Sequence, residues 1–141
     1  MSPRTPPKTA DCTPADARAR LVKAESFLAG AELVLKTDAD PDLDLPAVAA
    51  ALCVLAGIAA ADAACCIALG QRARGQNHHE SLALVKTVEP HGLQLAKDLK
   101  RLLDRKDNAH YGAISITANA VEDMISWARR MTSNATDVLA R

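Results

Sequence analysis

The densest group of reactive side chains in the sequence runs from Arg105 to Tyr111, in the stretch RKDNAHY. Four residues separate Arg105 from His110, and Tyr111 directly follows the histidine. An imidazole takes up or releases a proton near neutral pH, and a guanidinium holds an oxyanion through paired N–H donors. These residue types can therefore support acid–base chemistry beside an anionic group.

An arginine followed after four residues by a histidine, just before the last helix of a helical bundle, resembles the motif of the HEPN superfamily. The stretch AGIAAADAACCIALGQRARGQNHHE is also similar to an actinobacterial HEPN subfamily. The overall resemblance covers roughly residues 14–139, whereas the motif itself spans only residues 105–110. The resemblance predicts a small helical bundle with its functional site at the motif.

Many HEPN domains are metal-independent endoribonucleases whose site forms at a homodimer interface. The resemblance implies that His110 acts as acid or base, and that Arg105 grips the phosphate and stabilises the developing charge. It also implies that Asn108 binds phosphate or sugar and that Tyr111 stacks on a base or donates a hydrogen bond. The RNA backbone would lie on a basic helix face formed by Lys97, Lys100, Arg101 and Lys106. No metal or cofactor takes part in this chemistry.

Three functions follow from these residues. The first is a homodimeric RNA-cleaving toxin or defence factor, with an antitoxin or another protein as its partner. The second is a non-catalytic HEPN-like module that binds nucleic acid, nucleotide or a partner protein through the same groove. The third is a helical scaffold that assembles through an Ala-rich seam. In the non-catalytic cases His110 and Tyr111 satisfy caps and pack a loop, and Arg105 favours the negative end of its helix.

The element that must position these residues is the apolar stretch from Pro46 to Gly70. Its length would span a membrane, but it is rich in Ala, contains Asp62 and has no positive flank. We therefore predict the central helix of a soluble bundle and no membrane partner. A buried carboxylate needs a partner, so Asp62 either orients Arg105 or His110, or pairs with a cation of the first helix such as Lys23, or is partly exposed.

The composition favours an all-α fold. The chain has 141 residues, of which 49% are hydrophobic and only 2% aromatic, so its core must be aliphatic. The formal net charge is zero, so any anion-binding surface must be local. Helical spacing and cap residues predict an antiparallel four-to-five-helix bundle and no strand, and the resemblance implies that this bundle is HEPN-like. The predicted helices span residues 14–36, 46–69, 78–88, 92–105 and 118–139, with Asp98 and Asp104 on the outer face of the fourth.

Two domain segments are expected: a disordered arm over residues 1–12, which contains three prolines, and the bundle over residues 13–141. Cys12 lies on this arm, as either a reactive thiol or an incidental surface residue. Three further cysteines lie on the central helix, and reduced, packed thiols without a signal peptide predict a cytoplasmic protein. His78, His79 and Glu80 could suggest a metal site, but adjacent histidines point to different sides of a helix, so we favour a helix start.

Overall fold

The computed structural model of the chain describes residues 8–37, 40–75, 77–111 and 116–141, and from residue 107 to residue 111 it describes the backbone only. Most of these residues are helical, which confirms the all-α class. The five helices are α1 (Pro14–Lys36), α2 (Leu45–Leu69), α3 (His78–Val85), α4 (Gly92–Tyr111) and α5 (Ala118–Ala140). Two short strands, β1 (Thr9–Asp11) and β2 (Gln71–Ala73), pair as an antiparallel ribbon.

The helices begin and end largely where the local sequence signals predict. Thr13 and Asp16 form a capping box at the start of α1: the Thr13 hydroxyl accepts from the Asp16 N–H at 3.1 Å, and the Asp16 carboxylate accepts from the Thr13 N–H at 2.8 Å. Asp44 caps α2, and Gly70 ends it in the left-handed conformation with a φ of 68°. Two helices are exceptions: α3 ends at Val85 rather than at residue 88, and α4 continues to Tyr111, so the predicted break after residue 105 is wrong.

The helix α2 is the centre of the bundle and packs against α1, α4 and α5. Small side chains let these helices approach closely: a Cβ added at Gly57 would lie 2.6 Å from Cδ1 of Leu102 and 3.2 Å from Sδ of Met131. By length and composition α2 could cross a membrane, but 67% of its most apolar window is buried in the fold. That burial is typical of the core helix of a soluble protein, as the sequence predicts.

The N-terminal segment differs from the prediction. The strand β1 pairs with β2 so that Thr9 faces Ala73 and Asp11 faces Gln71. Beside it, Cys12 forms a disulfide with Cys66 of α2, with Cα atoms 5.5 Å apart. The predictions of a disordered arm and of no strand are therefore wrong over residues 9–12, and residues 1–7 lie outside the described part. A three-residue strand is too short to show an alternating pattern, and its partner lies about sixty positions away in the sequence.

The cysteines also differ from the prediction of four reduced thiols. Cys53 and Cys65 are free and buried, and burial raises the pKa of each thiol to about 12. These two thiols are therefore protonated and unreactive at neutral pH, as packed core residues. Cys12 is neither a free thiol nor an incidental surface residue, because it is bonded to Cys66. Reduced cysteines consequently no longer support a cytoplasmic location.

Candidate functional site

The side chains of Arg101 and Arg105 lie one turn apart on α4 and both contact Trp127 of α5. The guanidinium carbons lie 5.7 Å and 5.9 Å from the centre of the indole ring. Trp127 is half-buried and packs against the core. The cation–π contacts hold two like charges next to each other on the surface. Trp127 is the chain's one tryptophan, and the sequence analysis did not assign it a role.

A second arginine contact lies next to this one and is built around Asp98, which is completely buried. Arg130 of α5 donates from Nε to Asp98 Oδ2 at 2.8 Å and from Nη2 to Oδ1 at 2.6 Å. Gln94 donates to Oδ2 at 3.2 Å, and Arg101 Nη1 lies 3.6 Å from Oδ1. The bidentate pair raises the pKa of Arg130, chiefly through the hydrogen bonds to Asp98.

The prediction that Asp98 lies on the outer face of α4 is therefore wrong. The residue lies at the edge of the helix that α5 covers, and its carboxylate is buried because Arg130 neutralises it. In the sequence of α4, Asp98 is one polar residue among several, so its spacing alone does not show that it is buried. The partner is 32 positions away, so the signal that could have revealed it was the pair of arginines, Arg129 and Arg130, that directly follows a buried residue of α5.

The remaining cations of this surface divide into paired and unpaired ones. Lys100 is bonded to Asp104 at 2.8 Å, and Arg129 is bonded to Glu32 of α1 at 2.6 Å. By contrast, Arg105 and Lys97 have no carboxylate within 4 Å among the described side chains. We define Arg101, Arg105, Trp127 and Arg130 as the arginine–tryptophan face. Within it, Arg105 is the guanidinium whose donors are free of any described carboxylate.

The structure divides the predicted RNA-binding residues. Lys97, Lys100 and Arg101 lie on the outer part of α4 with Arg105, but Lys106 lines a groove beside α2 instead. The predicted catalytic His110 and the predicted RNA contacts Asn108 and Tyr111 have backbones in the last turn of α4, and their side chains lie outside the description. At 3.6 residues per turn, positions 105 and 110 are about 140° apart around the helix axis. One face of α4 therefore does not carry both motif positions.

Asp62 is 8% exposed, and its carboxylate lies 4.0 Å from Nη1 of Arg20 in α1. Burial raises the pKa of Asp62 to about 6, and the positive charges of Arg20 and of Arg72 in β2 oppose this rise. The contacts thus favour the alternative of a partner from the first helix, although the cation is Arg20 rather than Lys23. Arg105, one of the two motif residues that Asp62 could orient under the other alternative, contacts Trp127.

The histidine pair at the start of α3 behaves as a helix start. Asn77 caps the helix, and its side chain accepts from the N–H of His79 at 3.0 Å. A search of the described residues for groups of three or more His, Cys, Asp and Glu side chains that could hold a metal ion finds none.

A further polar contact that the sequence analysis missed joins His91 to Asp137. His91 Nε2 lies 2.7 Å from Asp137 Oδ2, and His91 has a φ of 74°, a value uncommon outside glycine. Arg141 also donates to Asp137, at 3.2 Å. The hydrogen bond from His91, followed by that from Arg141, lowers the pKa of Asp137. This contact fastens the turn before α4 to the end of α5.

Comparison of the chain with family models, with curated proteins and with solved structures finds no match. The geometry of the described residues therefore has to carry the functional argument.

Proposed function

We propose that the protein binds RNA through the arginine–tryptophan face of α4 and α5. The observation that carries the proposal is the position of Arg105, which is held over Trp127 beside Arg101 and has no described carboxylate partner. A guanidinium stacked on an aromatic ring keeps its N–H edge free for bidentate contact with a phosphate. Lys97 adds a further exposed positive charge one turn before Arg101.

Electrostatic balance supports a local rather than a global site. The chain has equal numbers of basic and acidic residues, 17 of each, so it has no general attraction for polyanions. On this face, however, the buried Asp98 is already shared by Arg130 and Arg101. A phosphate that approaches the face therefore meets the cations, while the acidic group beneath them is buried and hydrogen-bonded.

We further propose that the HEPN-like motif supplies metal-independent cleavage of the bound RNA, with Arg105 holding the phosphate and His110 transferring protons. Because positions 105 and 110 lie on different sides of α4, the two groups meet one phosphate most simply where two copies of the chain adjoin. This reasoning favours a homodimer. In that role the protein is a toxin or defence factor, controlled by an antitoxin-like partner.

RNA binding is tested by fluorescence anisotropy with a labelled single-stranded RNA at low and at physiological salt. We expect Arg105→Ala and Arg101→Ala each to weaken binding and to reduce its salt dependence by about one phosphate contact. The matched control is Arg18→Ala, since Arg18 is an exposed arginine of α1. Equal binding by wild type, Arg105→Ala and Arg18→Ala would contradict the proposed face.

Cleavage is tested separately with a mixed RNA pool in EDTA. We expect wild type to cleave, and Arg105→Ala and His110→Ala to lose cleavage while they keep the helical circular dichroism spectrum. If all three proteins bind RNA and none cleaves it, the second function holds, a non-catalytic RNA-binding module. Cleavage retained by His110→Ala would exclude the motif as its source.

A further inference from the structure

A groove of about 300 Å³ lies along the N-terminal half of α2, at the lower end of the volume range of small-molecule pockets. Its lining residues from α2 are Ala47, Ala50, Ala51, Val54, Leu55 and Ile58. The remaining lining residue is Lys106 of α4. The groove is thus apolar along its length and carries one positive charge.

The two halves of α2 differ in how far the other helices cover them. From Ala59 to Cys66 every residue is buried. In the N-terminal half, by contrast, Val48 is 47% exposed and Leu55 is 44% exposed. Aliphatic side chains on neighbouring turns of one helix then form a continuous apolar strip that favours an apolar ligand.

Lys106 stands in an unusual place for a lysine. The core-facing row of α4 consists of Leu95, Leu99 and Leu102, all fully buried, and the next position in this row is Lys106. The chain therefore has a lysine where the pattern would continue with an apolar residue. Its methylene stem can lie along the groove wall while the ammonium group remains at the rim.

We propose that this groove binds an anionic amphiphile, namely a medium-chain fatty acid, with the alkyl chain along α2 and the carboxylate paired with Lys106 Nζ. The charges on the groove select this class. Lys106 has no carboxylate within 4 Å among the described side chains, and none of the described residues that line the groove is acidic. A neutral hydrocarbon would fill the apolar part and leave the ammonium group without a partner.

The test uses the full chain with labelled methyl groups, titrated with hexanoate, octanoate and decanoate below their micelle concentrations. We expect saturable shifts of the methyl signals of Val54, Leu55 and Ile58. Each added methylene should tighten binding roughly fourfold until the groove is filled. Absence of saturation, or shifts confined to other parts of the core, would overturn the proposal.

The charge contact is tested with Lys106→Gln, which should weaken decanoate binding about fivefold and leave decanol binding unchanged. Lys23→Gln on the exposed face of α1 is the matched control and should bind both ligands as wild type does. A Lys106→Gln variant that binds decanoate as tightly as wild type would refute the assignment of the headgroup.

The apolar contact is tested with Leu55→Asp, which should abolish binding of every chain length. Because Leu55 is part-exposed, the variant should still fold, and Leu93→Asp provides a control at an exposed leucine of α4. Analytical ultracentrifugation without ligand tests the competing occupant. A wild-type dimer that Leu55→Asp converts to a monomer would assign the groove to a second copy of the chain and overturn the fatty-acid proposal.

Discussion

Two buried carboxylates in this protein, Asp98 of α4 and Asp62 of α2, are held in very different ways. Asp98 is completely buried and accepts two hydrogen bonds from Arg130 and one from Gln94. Asp62 is 8% exposed, and the nearest cation, Arg20, lies 4.0 Å away. Burial is similar at the two sites, so the difference lies in how well donors replace the water that each carboxylate has lost.

Asp98 thus belongs to a hydrogen-bonded ion pair, whereas Asp62 has a cation nearby but no such pair. The Asp98 site joins α4 to α5 beneath the arginine–tryptophan face and keeps Arg101 and Arg130 in place there. The Asp62 carboxylate has the positive charges of Arg20 and Arg72 nearby but no hydrogen bond from the described residues, so burial dominates and raises the pKa of Asp62 to about 6. Substitutions at the two sites should therefore change the free energy of unfolding in opposite directions at neutral pH.

The largest effect is expected from Arg130→Ala. Removal of this side chain leaves the buried Asp98 carboxylate without its bidentate partner, which typically costs about 3–5 kcal/mol. Since Arg130 is 44% exposed and Arg101 remains nearby, we expect the lower end of that range. Urea denaturation at pH 7 measures the loss. Arg129→Ala, which breaks an exposed pair with Glu32, is the control and should cost less than about 1 kcal/mol. Equal losses in both variants would show that Asp98 is not the buried centre of this contact.

The second largest effect is expected from loss of the disulfide between Cys12 and Cys66. The two residues are 54 positions apart. A disulfide that closes a loop of that length lowers the conformational entropy of the unfolded chain and so stabilises the folded protein by roughly 2–4 kcal/mol. The disulfide also holds β1 against β2, which contains Arg72, one of the two cations that act on Asp62. We expect Cys12→Ser to lower the urea midpoint, and a reducing agent to have the same effect on wild type. The reducing agent should leave the midpoint of Cys12→Ser unchanged. If it lowers that midpoint as well, its effect on wild type does not come from this bond.

The third effect is a gain in stability from Asp62→Asn. The pKa of Asp62 is raised from 3.8 to about 6 in the folded protein, so between these values the folded state binds more protons than the unfolded state. The contribution of Asp62 to the free energy of unfolding is therefore fully present below about pH 4. It is lost as the pH rises through 6, which lowers the free energy of unfolding by roughly 2–3 kcal/mol. We expect Asp62→Asn to remove this pH dependence and to stabilise the protein at pH 7. Measurement of urea midpoints from pH 4 to pH 8 tests both points.

Asp98→Asn is the matched control for that experiment, because it introduces the same amide at a carboxylate that accepts hydrogen bonds from Arg130. It should destabilise the protein at pH 7. If both variants destabilise the protein equally, the contrast between the two sites is wrong.

The sequence predicts local features well and distant contacts poorly. Thr13, Asp44 and Gly70 mark helix ends because capping depends on residues within one turn. The class of the fold follows from helical spacing and from the Ala-rich central helix. The partner of Asp98, by contrast, arrives from another helix, and a pattern along α4 alone contains no trace of it.

The candidate site shows the same limit. Its basic helix face was predictable, since Lys97, Lys100 and Arg101 lie close together in the sequence. The contact between Arg105 and Trp127 depends on how α4 and α5 pack, and so does the separation of Lys106 from the other cations. The disulfide likewise joins residues whose distance in space cannot be deduced from their spacing in sequence.

The smallest effect, and the sharpest test of sign, is expected at Asp137. This carboxylate is part-exposed and accepts hydrogen bonds from His91 and Arg141, which lower its pKa below 3.8. The unfolded state therefore binds more protons as the pH falls, so the contribution of Asp137 to stability is present above about pH 4 and is lost below it. Asp62 has the opposite sign, because its contribution is lost as the pH rises.

We expect Asp137→Asn to flatten the acid limb of the stability curve slightly, below about pH 4. Asp62→Asn should instead remove the fall in stability between about pH 4 and pH 6, and the double variant should combine both changes, because the electrostatic partners of Asp62 and those of Asp137 are different residues. Urea midpoints of the four proteins between pH 2.5 and pH 8 would test this. If Asp62→Asn left the fall in stability between pH 4 and pH 6 in place, the titration in that range could not be assigned to Asp62. The contrast between Asp137, whose charged form is stabilised by hydrogen-bond donors, and Asp62, whose charged form is destabilised by burial, would then be wrong.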